Sequence, residues 1–352
     1  MLALIMRVAL IVAVCAGLCG RMAGQTAAAW PEADKLFHSD PRWLGADAAY
    51  SVDLGHERVL WIFEDTFLGS RPGNLSRHEG RFVHNTVAIE HGYNPAQATI
   101  DFYWQSRGGE SAEIFPNEGS VWIWPDDGIL IGTSLIVFGE RVVADDKSGF
   151  KSDGWTAYMI ANPDAEPSKW RPKKITEQHD TVLLASAIVR QGDFVYLFGQ
   201  SEPEHDLYAA RVSVQQLTRG DLTPLTWWDG HDWTGTRATR QLIIRDAGTE
   251  TSIQPNPAGR GFIEINNQGY GASDIVMRTA AALTGPWSAP KIIYRPPESD
   301  GPDPFVYAGK SHAELRGADL VLTYATNSFN DANADDLTRY FPRFVRVSLP
   351  SP

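Results

Sequence analysis

The chain has 352 residues, of which 43% are hydrophobic and 11% aromatic, so it can bury a large core, and its 22 prolines and 31 glycines suit many short strands joined by turns. The formal net charge of −12 disfavours binding to nucleic acid and to anionic lipid, and no cluster of basic residues counteracts it. A neutral ligand such as a glycan is compatible with this charge.

Residues 1–29 have the pattern of a signal peptide. Arg7 supplies the positive charge and residues 8–18 the apolar segment, which is too short to span a membrane. The small residues of the expected cleavage region are Ala23, Ala27 and Ala29. We expect a secreted or periplasmic protein that does not associate with the membrane after cleavage; a retained anchor is the alternative.

Both cysteines, Cys15 and Cys19, lie in this segment. The mature chain, residues 30–352, is therefore expected to have no disulfide, no thiolate nucleophile and no cysteine-ligated metal. Loss of Arg7 and Arg21 with the segment changes its formal charge from −12 to −14. We expect a monomer without cofactor or metal.

Five stretches of the sequence predict equivalent β-strands. Each is apolar, follows a turn that contains glycine, and ends at a polar residue. They cover residues 60–67, 135–140, 195–200, 262–266 and 320–325, and their first residues are 75, 60, 67 and 58 positions apart. Such a period, built from strands rather than helices, predicts repeated sheets.

Each of these strands is flanked by two further predicted strands. The preceding strands cover 48–53, 120–125, 186–190, 251–254 and 313–316, and the following strands cover 84–90, 155–161, 206–212, 274–279 and 342–347. We therefore predict an all-β fold in which residues 30–352 form a single five-bladed β-propeller, with the first strand of each blade lining a central channel.

Antiparallel pairing brings the start of each first strand and the end of each second strand to one rim of that channel. The predicted starts carry Asp47, Glu118, Ser186, Glu250 and His312, and the predicted ends carry Asp65, Glu140, Glu202, Asn267 and Asn327. We expect these residues to surround one mouth of the channel. For any single residue the alternative is that it only satisfies buried backbone groups at a turn.

Several residues near these positions are further candidates. Asn85 lies at the start of the third strand of the first repeat and could point into the mouth. Tyr270 follows the second strand of the fourth repeat, where hydroxyl binding and turn formation are both open. Trp122 and Trp124 lie on one face of a predicted strand, where they would either stack on a sugar or pack in the core.

Four short motifs resemble the exported bacterial proteins of domain of unknown function 4185, some of which are five-bladed propellers that degrade D-arabinan as endo-glycosidases. The motifs are Trp61–Phe67, Glu250, Gly285–Ser288 and Ser311–Leu315, and the resemblance extends over most of the mature chain. Glu64 stands where that family commonly has glycine.

The layout is more distantly similar to the arabinanase-type propellers of glycoside hydrolase family 43. In those proteins, carboxylates from separate blades meet in the channel mouth. They carry a general-acid glutamate on blade three, where this chain has Ser186.

Glycosidic hydrolysis requires a carboxylic acid that protonates the leaving oxygen and a second carboxylate that attacks or activates water. We predict an arabinan-type polysaccharide as substrate, Asp47 as base or nucleophile and Glu250 as general acid. Asp65 and Glu118 would orient the base, the sugar or a water. The predicted substrate-binding residues are His312, Asn85, Asn267, Tyr270 and Asn327.

Two other functions remain open at this stage. The first is a propeller that binds glycans or acts as a scaffold without catalysis, because one fold hosts both kinds of protein. The second is a metal-dependent phosphodiesterase, which would require His84 and His312 to converge with acidic residues.

Overall fold

The structure, a computed structural model, describes residues 25–69, 76–269, 271–328 and 336–349. Strands predominate, and the predicted all-β class is confirmed. The helices are short: α1 is Pro31–Asp34, α2 is Val214–Thr218, and 3₁₀-helices cover Lys35–His38, Pro167–Lys169, Arg237–Thr239 and Pro297–Asp300. In the described part of the chain, no helix has the length and apolar character needed to span a membrane.

Five antiparallel sheets of four or more strands follow one another along the described chain. Sheet one contains β3 (Tyr50–Gly55), β4 (Arg58–Phe63), β7 (Thr86–His91) and β8 (Thr99–Tyr103). Sheet two contains β11 (Val121–Ile131), β12 (Ser134–Asp145), β13 (Gly149–Ile160) and β14 (Lys173–Gln178). Sheet three contains β15 (Val182–Gln191), β16 (Phe194–Ser201), β17 (Leu207–Ser213), β18 (Thr226–Trp228) and β19 (Trp233–Thr234), with β20 (Leu242–Ile244) paired to β17.

The remaining strands form sheets four and five and two small sheets. Sheet four contains β21 (Thr251–Pro255), β22 (Phe262–Gln268), β23 (Asp274–Ala280) and β24 (Lys291–Tyr294). Sheet five contains β25 (Val306–Ser311), β26 (Leu320–Thr326), β27 (Arg343–Ser348) and β1 (Thr26–Ala29). One small sheet contains β2 (Trp43–Ala46), β5 (Thr66–Leu68) and β6 (Arg81–Val83). Another contains β9 (Gln105–Arg107) and β10 (Glu110–Ala112).

The strands form where apolar side chains alternate with polar ones, or where a run is apolar throughout because both faces of the sheet are covered. In β3 buried and more exposed residues alternate, whereas β4 is buried from Val59 to Phe63. The core lies between neighbouring sheets; for example, Phe138 of sheet two packs in one cluster with Leu184 and Leu197 of sheet three.

The first strands of the five sheets surround a central cavity. Contacts join β3 to β11, β11 to β15, β15 to β21 and β21 to β25. Sheet five returns to sheet one through a 2.6 Å hydrogen bond between His312 Nδ1 and Ser51 Oγ. The cavity has a volume of about 320 Å³ and receives side chains from all five first strands, among them Ser51, Asp127, Ser186, Ser252 and Ser311.

The outermost strand of sheet five comes from the start of the described chain. Residues Thr26 to Ala29 of β1 pair antiparallel with Ser348 to Val345 of β27. The sheet structure therefore begins four residues before position 30, inside the segment that the sequence assigns to the signal peptide. Residues 1–24 lie outside the described residues, and the signal peptide stays a prediction.

Candidate active site

Five carboxylic acids converge at the end of the cavity where the first strands begin. We call this group the acidic mouth; its members are Asp47, Glu64, Asp126, Glu140 and Glu250. Asp47 and Glu64 flank the β3–β4 hairpin, Asp126 and Glu140 belong to sheet two, and Glu250 precedes β21. Burial raises the pKa of Glu64 well above its usual range, and the charges of the other four members add to that effect.

Asp47 is held by two tyrosines. Its Oδ2 accepts hydrogen bonds from the Tyr307 hydroxyl at 2.7 Å and the Tyr340 hydroxyl at 3.0 Å. Among the described residues, none bonds to its buried Oδ1. Burial, followed by the charge of Asp65, raises the pKa of Asp47 to about 8. A carboxyl group in this environment carries a proton at neutral pH and can donate it.

The backbone next to Asp47 is strained. Ala48 and Ala49 have φ values of +61° and +62°, a region that residues with a side chain rarely adopt. The nearby Gly45 allows the backbone to approach Tyr340 closely, because a Cβ at position 45 would lie 2.2 Å from the carbonyl oxygen of Tyr340. Strain of this kind clusters at functional sites.

Glu250 forms an ion pair with Lys310. Lys310 is 1% exposed, and its ammonium group contacts a Glu250 oxygen as well as the backbone oxygens of Ala48 and Ala308. It also lies 4.3 Å from the centre of the Tyr50 ring. The Lys310 ammonium is thus the ion-pair partner that Glu250 has away from water, and loss of either group would leave the other without its partner.

Bulges in the first strands aim side chains at the mouth. The register shifts between Pro125 and Gly128 in β11, and between Tyr307 and Lys310 in β25. The first bulge presents Asp126, whose pKa is raised to about 7 mainly by burial and then by the charge of Glu250. Bulges are common next to active sites because they redirect individual side chains.

Asp65 lies beside the mouth and is anchored from two directions. Its Oδ1 accepts a hydrogen bond from Trp124 Nε1 at 2.8 Å and lies 2.9 Å from His84 Nδ1. Its charge acts on Asp47, so the two aspartates predicted at the first repeat do lie close together.

Glu118 is not part of this group, contrary to the sequence prediction. It forms ion pairs with Arg141 at 3.0 Å and with Lys174 at 2.8 Å. The prediction was wrong because β11 extends well beyond the mouth: the strand crosses the rim at Asp126, whereas Glu118 precedes its far end.

His312 is also misplaced in the sequence prediction. The first strand of the fifth repeat was expected at 313–316, but β25 covers Val306–Ser311. Tyr307 therefore stands at the mouth, and His312 lies about 15 Å further along the strand direction. Both its ring nitrogens are bonded, Nδ1 to Ser51 and Nε2 to Thr323 at 2.8 Å, so its role is structural. Consequently His84 and His312 do not converge on one site.

Two predicted substrate-binding asparagines are structural as well. Asn85 is fully buried and uses its amide group to bond the backbone of Phe115 and Ile123 at 2.9 to 3.0 Å. Asn267 bonds Ser273 Oγ and the backbone NH of Gly309. Both side chains are buried, Asn85 at 0% and Asn267 at 4% exposed, and both are engaged in bonds within the protein.

Of the other two predicted binding residues, Asn327 and Tyr270, the structure describes only Asn327. Asn327 is half-buried and its side chain contacts Tyr307, the partner of Asp47, which places it at the rim. Tyr270 lies outside the described residues.

Sequence reasoning assigned no site role to several residues of the mouth. They are Glu64, Asp126, Lys310, Tyr307 and Tyr340, together with Glu140, which was placed on the rim but not among the catalytic candidates. The adjacent carboxylates in Glu64-Asp65 and Asp126-Asp127 were available as signals, each at a strand end or in a strand otherwise rich in apolar residues. No signal pointed to Lys310, because a buried lysine is recognised only by its partner.

Solved structures share this fold. A candidate hydrolase from Bacteroides ovatus ATCC 8483 has a TM-score of 0.75 at 16% identity, covering 92% of this chain and 90% of that chain. An exo-β-1,3-galactanase from Phanerochaete chrysosporium, solved with β-1,3-galactotriose, has a TM-score of 0.52 at 12% identity, covering 92% and 63%. A xylan β-1,4-xylosidase from Bacillus halodurans C-125 has a TM-score of 0.50 at 10% identity, covering 88% and 53%. These similarities show an overall fold that glycoside hydrolases also adopt.

The chain belongs to the family described as domain of unknown function DUF5005, whose model matches residues 32–349. This model is not that of domain of unknown function 4185, and the resemblance to the latter is unconfirmed. Two fungal proteins are similar along most of their length. Notoamide biosynthesis cluster protein J' of Aspergillus versicolor is 22% identical over 299 residues, 78% of each chain, and protein J of Aspergillus sp. (strain MF297-2) is 22% identical over 343 residues, 88% of each chain.

Proposed function

We propose that this protein is an exported glycoside hydrolase that cleaves a neutral, arabinan-type polysaccharide. Its five sheets are the blades of a five-bladed β-propeller, and the acidic mouth is the catalytic site. The observation that carries the proposal is the convergence of five carboxyl groups from three sheets on one end of the central cavity. Their environments differ enough to give an acid and a carboxylate at the same pH.

Asp47 is the proposed general acid. It is protonated near neutral pH, and two tyrosine hydroxyls orient it so that it can protonate a leaving oxygen. Glu250 is the proposed nucleophile or base, because it forms an ion pair with Lys310. These roles are the reverse of those predicted from the sequence, where the pairing with Lys310 could not be seen.

A neutral substrate fits the electrostatics of the site. The net charge of −12 disfavours an anionic ligand such as a phosphate ester or a uronic acid polymer, whereas carboxylic acid groups at the mouth can hydrogen-bond neutral hydroxyls. Among proteins of similar fold, the exo-β-1,3-galactanase was solved with a neutral trisaccharide, which supports this class of ligand.

The test is incubation of the purified protein with arabinans, arabinogalactan, xylan and galactan, followed by chromatography of the products. We expect oligosaccharides from at least one polymer. Asp47→Asn and Glu250→Gln should each lower turnover at least about a hundredfold, the usual scale of acid–base catalysis, while circular dichroism stays unchanged.

Glu118→Gln is the matched control, since it removes a carboxylate of the same protein outside the mouth. Its turnover should stay within about twofold of wild type. Binding of a polymer without release of oligosaccharides would instead favour a glycan-binding protein. Near-full turnover in either mouth variant would remove that residue from the mechanism.

A further inference from the structure

An arc of aromatic rings borders the acidic mouth on the side of sheets one and two. It consists of Phe150, Trp124, Trp122, His84, Phe82, Phe67 and Tyr340. Successive ring centroids are 4.8, 6.3, 4.8, 5.3, 5.1 and 5.5 Å apart. The rings therefore form one continuous surface rather than scattered contacts.

The arc is attached to the mouth at two points. Trp124 donates its indole NH to Asp65, and Tyr340 donates its hydroxyl to Asp47 at 3.0 Å. Arg77 packs against the rings of Phe67 and Tyr340 at 5.6 and 5.8 Å and bonds the carbonyl of Arg339. The rings are thus fixed relative to the two aspartates.

Apart from Tyr340, which is buried at 6% exposure, the arc lies outside the core. In β11, Ile123 faces the packed interior and is fully buried, whereas its neighbours Trp122 and Trp124 point to the opposite face and are partly exposed. Phe82 and Phe150 are 42% and 48% exposed. Exposed aromatic groups that continue into a site with convergent polar groups are typical of ligand-binding grooves.

Sheet two supplies the support for one half of the arc. Strands β11, β12 and β13 extend past Glu140, with pairs such as Val121 with Val143 and Val142 with Ser152 lying beyond the rim. This extension forms a wall that is higher than the mouth on that side. A ligand that reaches the acids from above has to pass along the wall.

We propose that the aromatic arc binds several consecutive units of a neutral oligosaccharide whose cleaved bond lies in the acidic mouth. This inference deepens the proposed function and rests on it in taking the ligand to be a carbohydrate. Sugar rings present apolar CH faces that stack on aromatic rings, and their neutral hydroxyls tolerate nearby carboxyl groups. The protein consequently prefers chains over disaccharides.

Binding is measured by calorimetry in the Asp47→Asn background, so that no probe is consumed. The probes are arabino-, xylo- and galacto-oligosaccharides of two to six units. Affinity should rise with length for at least one series. Phe150→Ala and Phe82→Ala should each weaken binding of the longer members about three- to tenfold and leave the disaccharide nearly unchanged.

Ile292→Ala is the matched control, because Ile292 is 59% exposed on β24, the outermost strand of sheet four. It should not change any affinity. Unchanged affinity in both phenylalanine variants, no binding of any probe, or an equal effect of Ile292→Ala would overturn the inference. Loss of a dimer in Phe150→Ala with unchanged sugar affinity would assign the arc to self-association instead.

The outcome is separable from that of the proposed function. Length-dependent binding lost in the phenylalanine variants, but without hydrolysis by the wild-type protein, would support the arc and refute the enzyme. Hydrolysis by the wild-type protein, together with unaltered binding in the variants, would support the enzyme and refute the role of the arc.

Discussion

Asp47 and Asp65 illustrate how a neighbouring charge can set the chemistry of one residue. The charge of Asp65 is the largest charge effect on Asp47 after burial, and it favours the protonated form of Asp47. If Asp47 is the general acid, kcat/KM should fall as pH rises through about 8, because the acid form is lost.

Asp65→Asn removes that charge, so the pKa of Asp47 should decrease. We expect the alkaline limb of the pH profile of kcat/KM to move to lower pH, by roughly one pH unit for a change of about 1.4 kcal/mol in the interaction. The pH–rate profile of Glu118→Gln serves as control and should keep the wild-type limb. An alkaline limb that does not move in Asp65→Asn would contradict the role given to Asp47.

At the scale of residues, Asp47 and Glu250 were placed before the first strands of repeats one and four, and these strands begin at Tyr50 and Thr251, within two residues of the predicted starts. The sequence prediction failed for Asn85 and His312. Asn85 hydrogen-bonds backbone groups 30 and 38 residues away in the sequence. Local sequence patterns do not indicate such distant partners. A hydrogen-bonded polar core residue and a ligand-binding residue have the same sequence signature.

At the scale of elements, most second and third strands were predicted within a few residues, because turn glycines and apolar alternation mark them. In sheet two the hairpin is longer than predicted: β12 continues past 140 to Asp145 and β13 begins at Gly149 rather than 155. The bounds of the first strands were predicted less accurately. In β11 and β25 a bulge interrupts the alternation, so the two-residue period shifts phase within the strand. The strand of the fifth repeat was therefore expected seven residues too late, which transferred the site assignment from Tyr307 to His312.

The N-terminal strand β1 gives a prediction about closure. Its four residues pair with β27 and complete the outer edge of sheet five. A chain that starts at Trp30 should lose these hydrogen bonds and expose the edge of β27, and each such bond contributes about 0.5–1.5 kcal/mol. We expect a melting temperature at least about 3 °C below that of a chain that starts at Gln25.

The comparison uses both chains in the same buffer, with a third chain that starts at Gln25 and carries Thr26→Ala as control. That substitution keeps the backbone bonds and should melt close to the Gln25 chain. Equal melting of the two truncations would show that β1 adds no stability. Because β1 consists of Thr26 to Ala29, we now expect the signal peptide to end before Thr26 rather than at residue 29, and N-terminal sequencing of exported protein tests this.

At the scale of the whole molecule, the sequence predicted the repeated sheets but not the buried carboxyl groups with raised pKa values. Five sheets in chain order follow from the spacing of five apolar stretches, a property of the chain itself. The number of buried carboxyl groups depends on how the sheets come together. Raised pKa values are found at the mouth and also away from it, as for Glu90, which is fully buried and accepts a hydrogen bond from Trp61 at 2.6 Å.

These buried acids predict that stability falls as pH rises. The pKa is raised to about 7 for Asp126 and to about 8 for Asp47, Glu90 and Glu140, in each case mainly by burial. Unfolded carboxyl groups have pKa values near 4, so between about pH 4 and 8 the folded protein binds more protons and its free energy of unfolding decreases with pH. The pKa of His312 is lowered by burial, which has the opposite effect below about pH 6.5, and the acids themselves ionise in the folded protein above about pH 7, so the decrease should be steepest between about pH 6 and 7.

Urea unfolding at pH 5, 6, 7 and 8 measures this slope, and Glu90→Gln tests one contributor away from the mouth. The glutamine oxygen can still accept the hydrogen bond from Trp61, but the residue cannot ionise. Relative to wild type, its free energy of unfolding should therefore increase by about 2 kcal/mol or more between pH 5 and pH 8. The exposed Glu110→Gln should show no such gain, and a wild-type stability that rises steadily to pH 8 would contradict the assignment of buried, protonated acids.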